Sequence, residues 1–486
     1  MILQTLNSKM TLDGGYCMKR INANMINRVD IEKIHEASLE ILESIGVRLT
    51  GDRVKKYLRS AGAKCVEGDD TVKIPREVVM ESLDKCPKNI KLYGVNGTEL
   101  VLSKEKCHNI SICTDPNVYD YNDGLRGPLL KDIERNVRIA DALPLVDGVY
   151  KMDIICEDVP EGIADLKTLQ TAVRNTGKFL LSAPINYRHA VTWYEIMGIL
   201  NQGKDLKDYP NFSFCISTTS PLQFGSEEAL IMEFLGGKGL PVFTLPCSIA
   251  GASVPFSLCG ALTVSNAENL FLITLAQAIN PGLPVVYGNG PAVFNMKYGQ
   301  MTYGSVERGM CNIAISEIAE FYGLPCYTGM ANVNVNTFDI QNGIELVTMM
   351  FQTLAADSNI RSGLGSIDNA IGVSTEQLII GHDVLQMLER IEQGIKVTDE
   401  YMDLEYLKEN GPGCHFLTSD LTLGLMRKGE HFYKGSFKAG SSKTMVENAY
   451  ETAIGIFNSH VPEVNFDAVL QVDKYVEKEI IKRGAK

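Results

Sequence analysis

The chain is predicted to be α/β, a closed (β/α)8 TIM barrel with a small N-terminal α+β appendage and a helical C-terminal extension. Three observations predict this. Between residues 106 and 395 eight short apolar runs alternate with helical patterns. Each run is continuously apolar, the signature of a parallel strand covered by helices on both faces. Eight such units over roughly 250 residues match the length at which a parallel sheet closes on itself.

The elements follow in order. Residues 1–29 form a leader expected to be flexible, and 1–20 lack the cationic start and apolar stretch of a signal peptide. Residues 30–105 make the appendage: Asp30–Ile45 reads as an amphipathic helix through Ile31, Ile34, Leu42 and Ile45, followed by Val47–Leu49, a helix near Asp52–Ala61 and a helix at Pro75–Lys85. The eight strand-like runs are Ser111–Asp115, Val149–Ile155, Lys178–Ile185, Phe212–Thr218, Pro241–Cys247, Pro284–Gly290, Pro325–Asn332 and Ile360–Ser366. Ile133, Val137 and Ala140 set a helical period after the first run, and Ile340, Ile344, Val347, Phe351 and Leu354 set one after the seventh. Ser374-Thr375-Glu376-Gln377 is a capping box that opens the eighth helix. In the tail, residues 396–486, Tyr401–Glu409, Met445–Phe457 and Phe466–Ile481 read as helices that pack on the barrel or build an oligomer contact.

Composition narrows the function. The 486 residues are 45% hydrophobic and 22% charged, with a net charge of −13, so a nucleic-acid partner is not expected. No uninterrupted apolar run reaches the roughly 18 residues of a membrane span. The twelve cysteines never form CxxC, and Cys113, Cys156, Cys215, Cys247 and Cys326 sit in apolar runs, which reads as small buried hydrophobes in a reducing cytoplasm. The seven histidines include no HxxxH pair, and no metal site is expected. Gly440-Ser441-Ser442-Lys443-Thr444 ends like a phosphate loop but lacks the glycine before the lysine.

Barrel enzymes carry their chemistry on the loops after the strands. Here those loops hold Asp115, Glu157, Ser220, Asn289 and Asn332 to Asn336, a set rich in amides and hydroxyls and poor in His and Lys. An acid–base dyad, a Schiff-base lysine and a Ser/His/Asp nucleophile are all missing. Aromatics crowd the same rim: Tyr119, Tyr121, Tyr287, Phe294, Tyr298, Tyr327 and Phe338. Aromatic faces among neutral polar groups suit a cation that cannot hydrogen-bond, such as a quaternary ammonium. The glycine turns Gly288-Asn289-Gly290 and Gly363-Leu364-Gly365 keep a rival open, a lyase or isomerase acting on a phosphorylated or oxo-acid substrate.

Ile34-His35-Glu36-Ala37-Ser38-Leu39-Glu40-Ile41-Leu42-Glu43, running on to Gly46-Val47-Arg48, resembles the N-terminal signature of the trimethylamine:corrinoid methyltransferase superfamily. Phe338-Asp339-Ile340-Gln341-Asn342-Gly343 with Glu345 resembles its seventh-strand region. The resemblance implies a (β/α)8 enzyme that moves a methyl group from an amine to the Co(I) corrinoid, a cob(I)alamin, of a separate small corrinoid protein. The absence of metal-ligand spacing and of a dinucleotide fingerprint predicts no tightly bound cofactor, the cysteine usage predicts a cytoplasmic protein, and the helical tail is expected to serve a homo-oligomer. Trimethylamine enzymes of the family carry pyrrolysine just after strand seven, where this chain has ordinary residues and Asn336 at the equivalent site. The chain therefore resembles the branch that demethylates quaternary amines such as glycine betaine, proline betaine, carnitine or γ-butyrobetaine. On this reading Asn332, Asn334 and Asn336 shape the catalytic floor and exclude water, while Arg361, with Arg308 second, clamps a substrate carboxylate. A betaine-binding protein without catalysis is the remaining alternative.

Overall fold

The computed structural model describes residues 23–65, 68–103, 106–152, 154, 156–431, 436 and 442–484. Most of the expected leader, residues 1–22, lies outside these, as do Gly440 and Ser441 of the phosphate-loop-like stretch. The end of the leader is held: Met25 and Ile26 donate their backbone N–H to Glu317, each at 3.2 Å, and Asn27 caps a helix that begins at Arg28.

Eight parallel strands close a barrel: β1 (His108–Thr114), β2 (Gly148–Lys151), β3 (Phe179–Ser182), β4 (Phe212–Ile216), β5 (Val242–Thr244), β6 (Val285–Gly288), β7 (Cys326–Gly329) and β8 (Ile360–Leu364). Each neighbours the next in sequence, and β8 pairs with β1. The helices between and after them are α1 (Leu130–Ala142), α2 (Ala164–Arg174), α3 (Tyr187–Leu200), α4 (Ser226–Lys238), α5 (Leu258–Ile279), α6 (Val306–Tyr322), α7 (Ile340–Ala355) and α8 (Thr375–Gln393). All eight expected runs overlap their strand and six contain it whole, while β1 begins three residues and β2 one residue before the expected run; the strands are mostly buried because helices cover one side and the barrel core the other.

The side-chain period of two decides which residues see the barrel interior. Phe179, Leu181, Cys215, Phe243, Val286, Tyr327 and Ile360 point inward and pack together. An antiparallel hairpin, Ile90–Tyr93 with Glu99–Leu102, plugs the N-terminal end of the barrel with Ile90, Leu92, Leu100 and Leu102. This hairpin falls within the stretch expected to be appendage, yet it packs on the barrel core. The mouth is left at the opposite end, above the C-terminal ends of the strands.

Outside the barrel, α5 is largely apolar and buries its few polar residues, among them Asn266 and Glu268, inside the protein. By length and composition it could cross a membrane, but 72% of its apolar window is buried inside the protein. The helices Arg28–Glu40 and Arg76–Lys85 cover its outer face, which explains why it needs no polar stripe. The tail helices Met445–Ser459 and Phe466–Lys482 dock on α8 and on α2 with α3, and Arg483 grips Asp165 at 2.6 and 3.0 Å. On α7 the apolar spacing read from the sequence turns mostly outward: Leu354 is buried, but Ile340, Ile344, Val347 and Phe351 face solvent, and Leu346, Met349 and Met350 face the core instead.

Candidate active site

At the mouth one side chain organises its neighbours. Arg308 stands in the first turn of α6, whose N-terminus is capped by Ser305. It is 3% exposed, and its Nη1 donates to the Gly290 carbonyl at 2.9 Å. Its Nη2 reaches the Asn289 side-chain oxygen only at 3.4 Å, and its Nε is buried with no partner. The Tyr303 ring lies 4.3 Å under the guanidinium, a cation–π contact. No carboxylate among the described residues pairs with it. Burial lowers the arginine's pKa, but a guanidinium stays charged under any ordinary condition. The result is a desolvated cation with one edge, Nε and Nη2, poorly satisfied.

Neighbouring loops close around that edge. Gly329, at the end of β7, leaves room: a Cβ there would sit 3.2 Å from Arg308 Nη2 and 3.4 Å from the Asn332 side-chain oxygen, so both side chains stand over the same glycine. Cys247, after β5, is exposed rather than buried as its apolar run suggested. The crowded walls of the mouth desolvate the thiol and raise its pKa, which its bond to Ser217 and the Arg308 charge partly oppose. Tyr327 is inside the barrel, edge-on to Phe243 at 5.8 Å, with its hydroxyl bonded to Ser362.

A second charged group stands two strands from β7, on the other side of β8. Asp115 follows β1, is 2% exposed, and its Oδ2 has no hydrogen-bond partner among the described residues. Desolvation holds its carboxyl well above the usual range. The mouth thus carries one unpaired cation and one unpaired acid.

The loop after β7 is cross-braced. Asn332 donates to Ser366 Oγ at 3.3 Å. The Asn334 side chain accepts from Gly304 N–H at 2.8 Å, and its own N–H donates to Glu345 at 2.6 Å. Asn336 is exposed and lies beside Tyr119, which is bonded to Asp368. The three asparagines therefore do not converge on one point; Asn332 is the one that shares the site with Arg308. Gly363 makes this loop possible, because at φ 130° its missing Cβ leaves room for the Met330 carbonyl, which would otherwise lie 1.8 Å away.

Other expected site residues lie elsewhere. Arg361 alternates with Ile360 and Ser362, which face inward, so it points out to the helix layer, where it lies 3.7 Å from Glu392 in the last turn of α8. That is far from the mouth. Tyr287 alternates with inward Val286 and donates its hydroxyl to Asn266 of α5 at 2.7 Å. Ser220 donates to the buried carboxylate of Glu268 at 2.7 Å, together with Thr218 and the Leu222 N–H, and so ties the loop after β4 to α5. Glu157 is exposed and folded over Gly127. Phe338 packs against the main core, and Phe294 and Tyr298 belong to the hairpin Ala292–Asn295 with Gln300–Thr302 beside the mouth. That hairpin borders an open groove of about 960 Å³ that reaches Asn334 and Glu345. The aromatics read as a rim cage are thus dispersed.

The glycine turns also have another use. A Cβ on Gly288 would meet the Tyr327 carbonyl at 2.5 Å, and one on Gly290 would meet Asn312 at 2.5 Å. They are filled by protein backbone and side chains, which leaves no phosphate cradle. Tyr303 and Cys247 are the site residues that sequence reasoning missed. Tyr303 lies only five residues before Arg308 but at no spacing that marks a site, and Cys247 reaches Arg308 only through the closure of the barrel.

Comparison with known proteins adds the following. The family model for trimethylamine methyltransferase (MTTB) matches residues 11–444. The glycine betaine methyltransferase of Desulfitobacterium hafniense (strain Y51) is 29% identical over 405 residues, covering 82% of this chain and 84% of that one. The trimethylamine methyltransferase MttB of D. hafniense (strain DSM 10664 / DCB-2) is 26% identical over 443 residues, 89% of each. That of Methanosarcina barkeri is 26% identical over 483 residues, 96% of this chain and 97% of that one. Among solved structures, the monomethylamine methyltransferase of M. barkeri superposes with a TM-score of 0.50 at 13% identity, over 96% of each chain, which agrees in fold.

Proposed function

The chain belongs to the trimethylamine methyltransferase family, and we propose from that premise that it moves a methyl group from a betaine-type quaternary amine to the Co(I) corrinoid of a separate small protein. The observation that carries the substrate class is the Arg308 guanidinium, buried at the mouth with no carboxylate of its own. A buried charge is tolerated when a partner arrives, and the geometry left open, Nε with Nη2, is the edge that accepts a carboxylate. Asp115 stands on the β1 side with an unpartnered buried carboxyl, so a zwitterion with its carboxylate toward Arg308 would bring an ammonium toward a group that ionises more readily beside a cation. Trimethylamine has no carboxylate to use this cation.

The reaction asks little acid–base chemistry of the protein. A quaternary nitrogen leaves as a neutral tertiary amine, so the methyl–nitrogen bond breaks without a proton being delivered. The corrinoid is the nucleophile and a co-substrate. What remains for this chain is to hold the methyl in line and keep water out, which is catalysis by position. Anchoring through the remote carboxylate suits this, since the ammonium charge fades as the methyl departs while the carboxylate charge persists. The Gly290 carbonyl, Asn289 and Tyr303 then keep Arg308 in place. The protein works in the cytoplasm on this reading.

The test is a panel of glycine betaine, proline betaine, carnitine, γ-butyrobetaine and trimethylamine, each incubated with the protein and Co(I) cobalamin while the spectrum of the methylated corrinoid is followed. At least one carboxylated quaternary amine is expected to react. Trimethylamine turning over as fast as the best betaine would overturn the proposal.

A further inference from the structure

The loop after β8 turns back in a conformation that its residues do not favour. Ser366–Ile367 pairs antiparallel with Gly372–Val373, and between them Asp368, Asn369 and Ala370 stand at φ 54°, 55° and 61°. These are consecutive non-glycine residues in the left-handed region, where a side chain crowds its own backbone. Aspartate and asparagine tolerate it best, and Ala370 has no polar group to offset it. A turn that only closed a hairpin would be served by glycine without strain. Strain of this kind persists where the surroundings over-determine the backbone, and it collects at functional sites.

The turn holds the segments that flank Arg308. Asp368 N–H donates to the Val335 carbonyl at 3.0 Å and Asn369 N–H to the Val333 carbonyl at 2.9 Å, which laces the turn to the loop after β7. The Asn369 side chain is 8% exposed and reaches further. Its Nδ2 donates to the Asn334 carbonyl at 3.3 Å, and its Oδ1 accepts from the Tyr303 N–H at 3.4 Å. The Tyr303 ring is the one that lies 4.3 Å under the Arg308 guanidinium. A Cβ on Gly304 would sit 2.9 Å from the Asn332 carbonyl oxygen and 3.0 Å from the Asn334 nitrogen, so the segment before α6 lies flat against the loop after β7. Segments after β6, β7 and β8 thus meet at one buried amide, and the left-handed turn is what carries that amide inward.

We propose that Asn369 is a positioning residue for the carboxylate end of the substrate: it fixes Tyr303 and, through the Tyr303 ring, the plane of the Arg308 guanidinium. The inference rests on the reading that Arg308 takes the carboxylate. Arg308 has one close bond, to the Gly290 carbonyl, and a long one to Asn289, which together leave a planar fork room to swing. A ring face beneath the charge removes that freedom, provided the backbone carrying the ring is itself held. Asn369 holds it from the β8 side. A fork out of plane loses the paired geometry that a carboxylate needs.

The experiment uses the full chain with the most reactive betaine of the panel. Asn369→Gly removes the amide and suits the left-handed backbone, so the thermal midpoint should stay close to that of the wild type while KM rises about tenfold through misplacement of the clamp. kcat should change by less than about twofold, because an anchor that acts alike on ground and transition states moves KM alone. Ala370→Gly is the control: it relieves the same strain and leaves Asn369 in place, so the midpoint should rise and KM should not move. In an Arg308→Ala background, Asn369→Gly should raise KM by less than about a further twofold, since its effect passes through the guanidinium. Should Asn369→Gly alone unfold, the same comparison is made with Ala370→Gly added to each protein. A folded Asn369→Gly with wild-type KM overturns the inference, as does a rise in KM that persists in full without Arg308. Arg308→Ala with an unchanged KM would overturn the carboxylate reading itself, and this inference with it.

Discussion

Two buried polar clusters in this protein lie on either side of β6 and differ in one respect. On the outer side, Asn266 of α5 accepts from Tyr287 at 2.7 Å and donates to Ser38 and Tyr322, each at 3.0 Å, while His35 meets Tyr322 at 2.9 Å. These bonds join the appendage, two barrel helices and a strand into one unit in which the polar groups satisfy each other. At the mouth, Arg308 and Asp115 are as deeply buried, yet each keeps an atom without a partner. A network complete in itself holds a fold together, whereas buried charge left incomplete costs stability and persists where a ligand completes it. The same contrast explains why Tyr287, an aromatic at a strand end, belongs to the architecture, while Arg308, on a helix, belongs to the site.

The contrast is broken or sharpened by substitution, and the largest effect is expected at Arg308. Arg308→Ala should lower kcat/KM for the carboxylated substrate by an amount equivalent to about 2–5 kcal/mol, as removal of one partner of a desolvated pair does. Its thermal midpoint should hold or rise, since a buried unpaired cation is removed. Arg308→Lys should recover only part of the activity. A variant with normal KM and a lowered midpoint would make Arg308 structural. On the other side of β6, Asn266→Ala should cost about 1–3 kcal/mol in urea unfolding, because it strands buried hydroxyls. The KM of this variant should stay at the wild-type value.

Asp115 gives a pH signature of smaller size. Its carboxyl is raised by desolvation, so the folded state binds its proton more tightly than the unfolded chain. Stability from this group is therefore greatest below the unfolded value, near 3.9, and declines as pH rises through the folded pKa. Asp115→Asn should remove that decline, giving a higher midpoint than wild type at pH 8 and little difference at pH 3.5. Equal midpoints at both pH values would place Asp115 in contact with a stabilising partner. Arg361→Ala, whose contact with Glu392 is loose at 3.7 Å and lies away from the mouth, should leave KM for the betaine unchanged. A raised KM there would return the carboxylate clamp to β8.

Much of the architecture is legible in the amino-acid sequence. Eight apolar runs and the helices between them report a local property, burial on both faces, that the residue pattern carries, and the capping residue Ser374 marks a helix start by chemistry that acts within a few residues. The family resemblance is legible for the same reason, in contiguous stretches such as 34–48. What only the tertiary structure decided was direction. A strand residue one position out of phase faces the opposite side of the sheet, and so Arg361 and Tyr287, at or near the strand ends, turn away from the mouth. An apolar helical stripe reads the same whether it meets the core or a neighbour, and on α7 the core took the other face. Asn289, Tyr303 and Arg308 come from the single segment after β6, and barrel closure brings Asn332 and Cys247 to them from the loops after β7 and β5. Sequence period fixes which residues share a face, while the identity of what that face meets is a property of the closed chain.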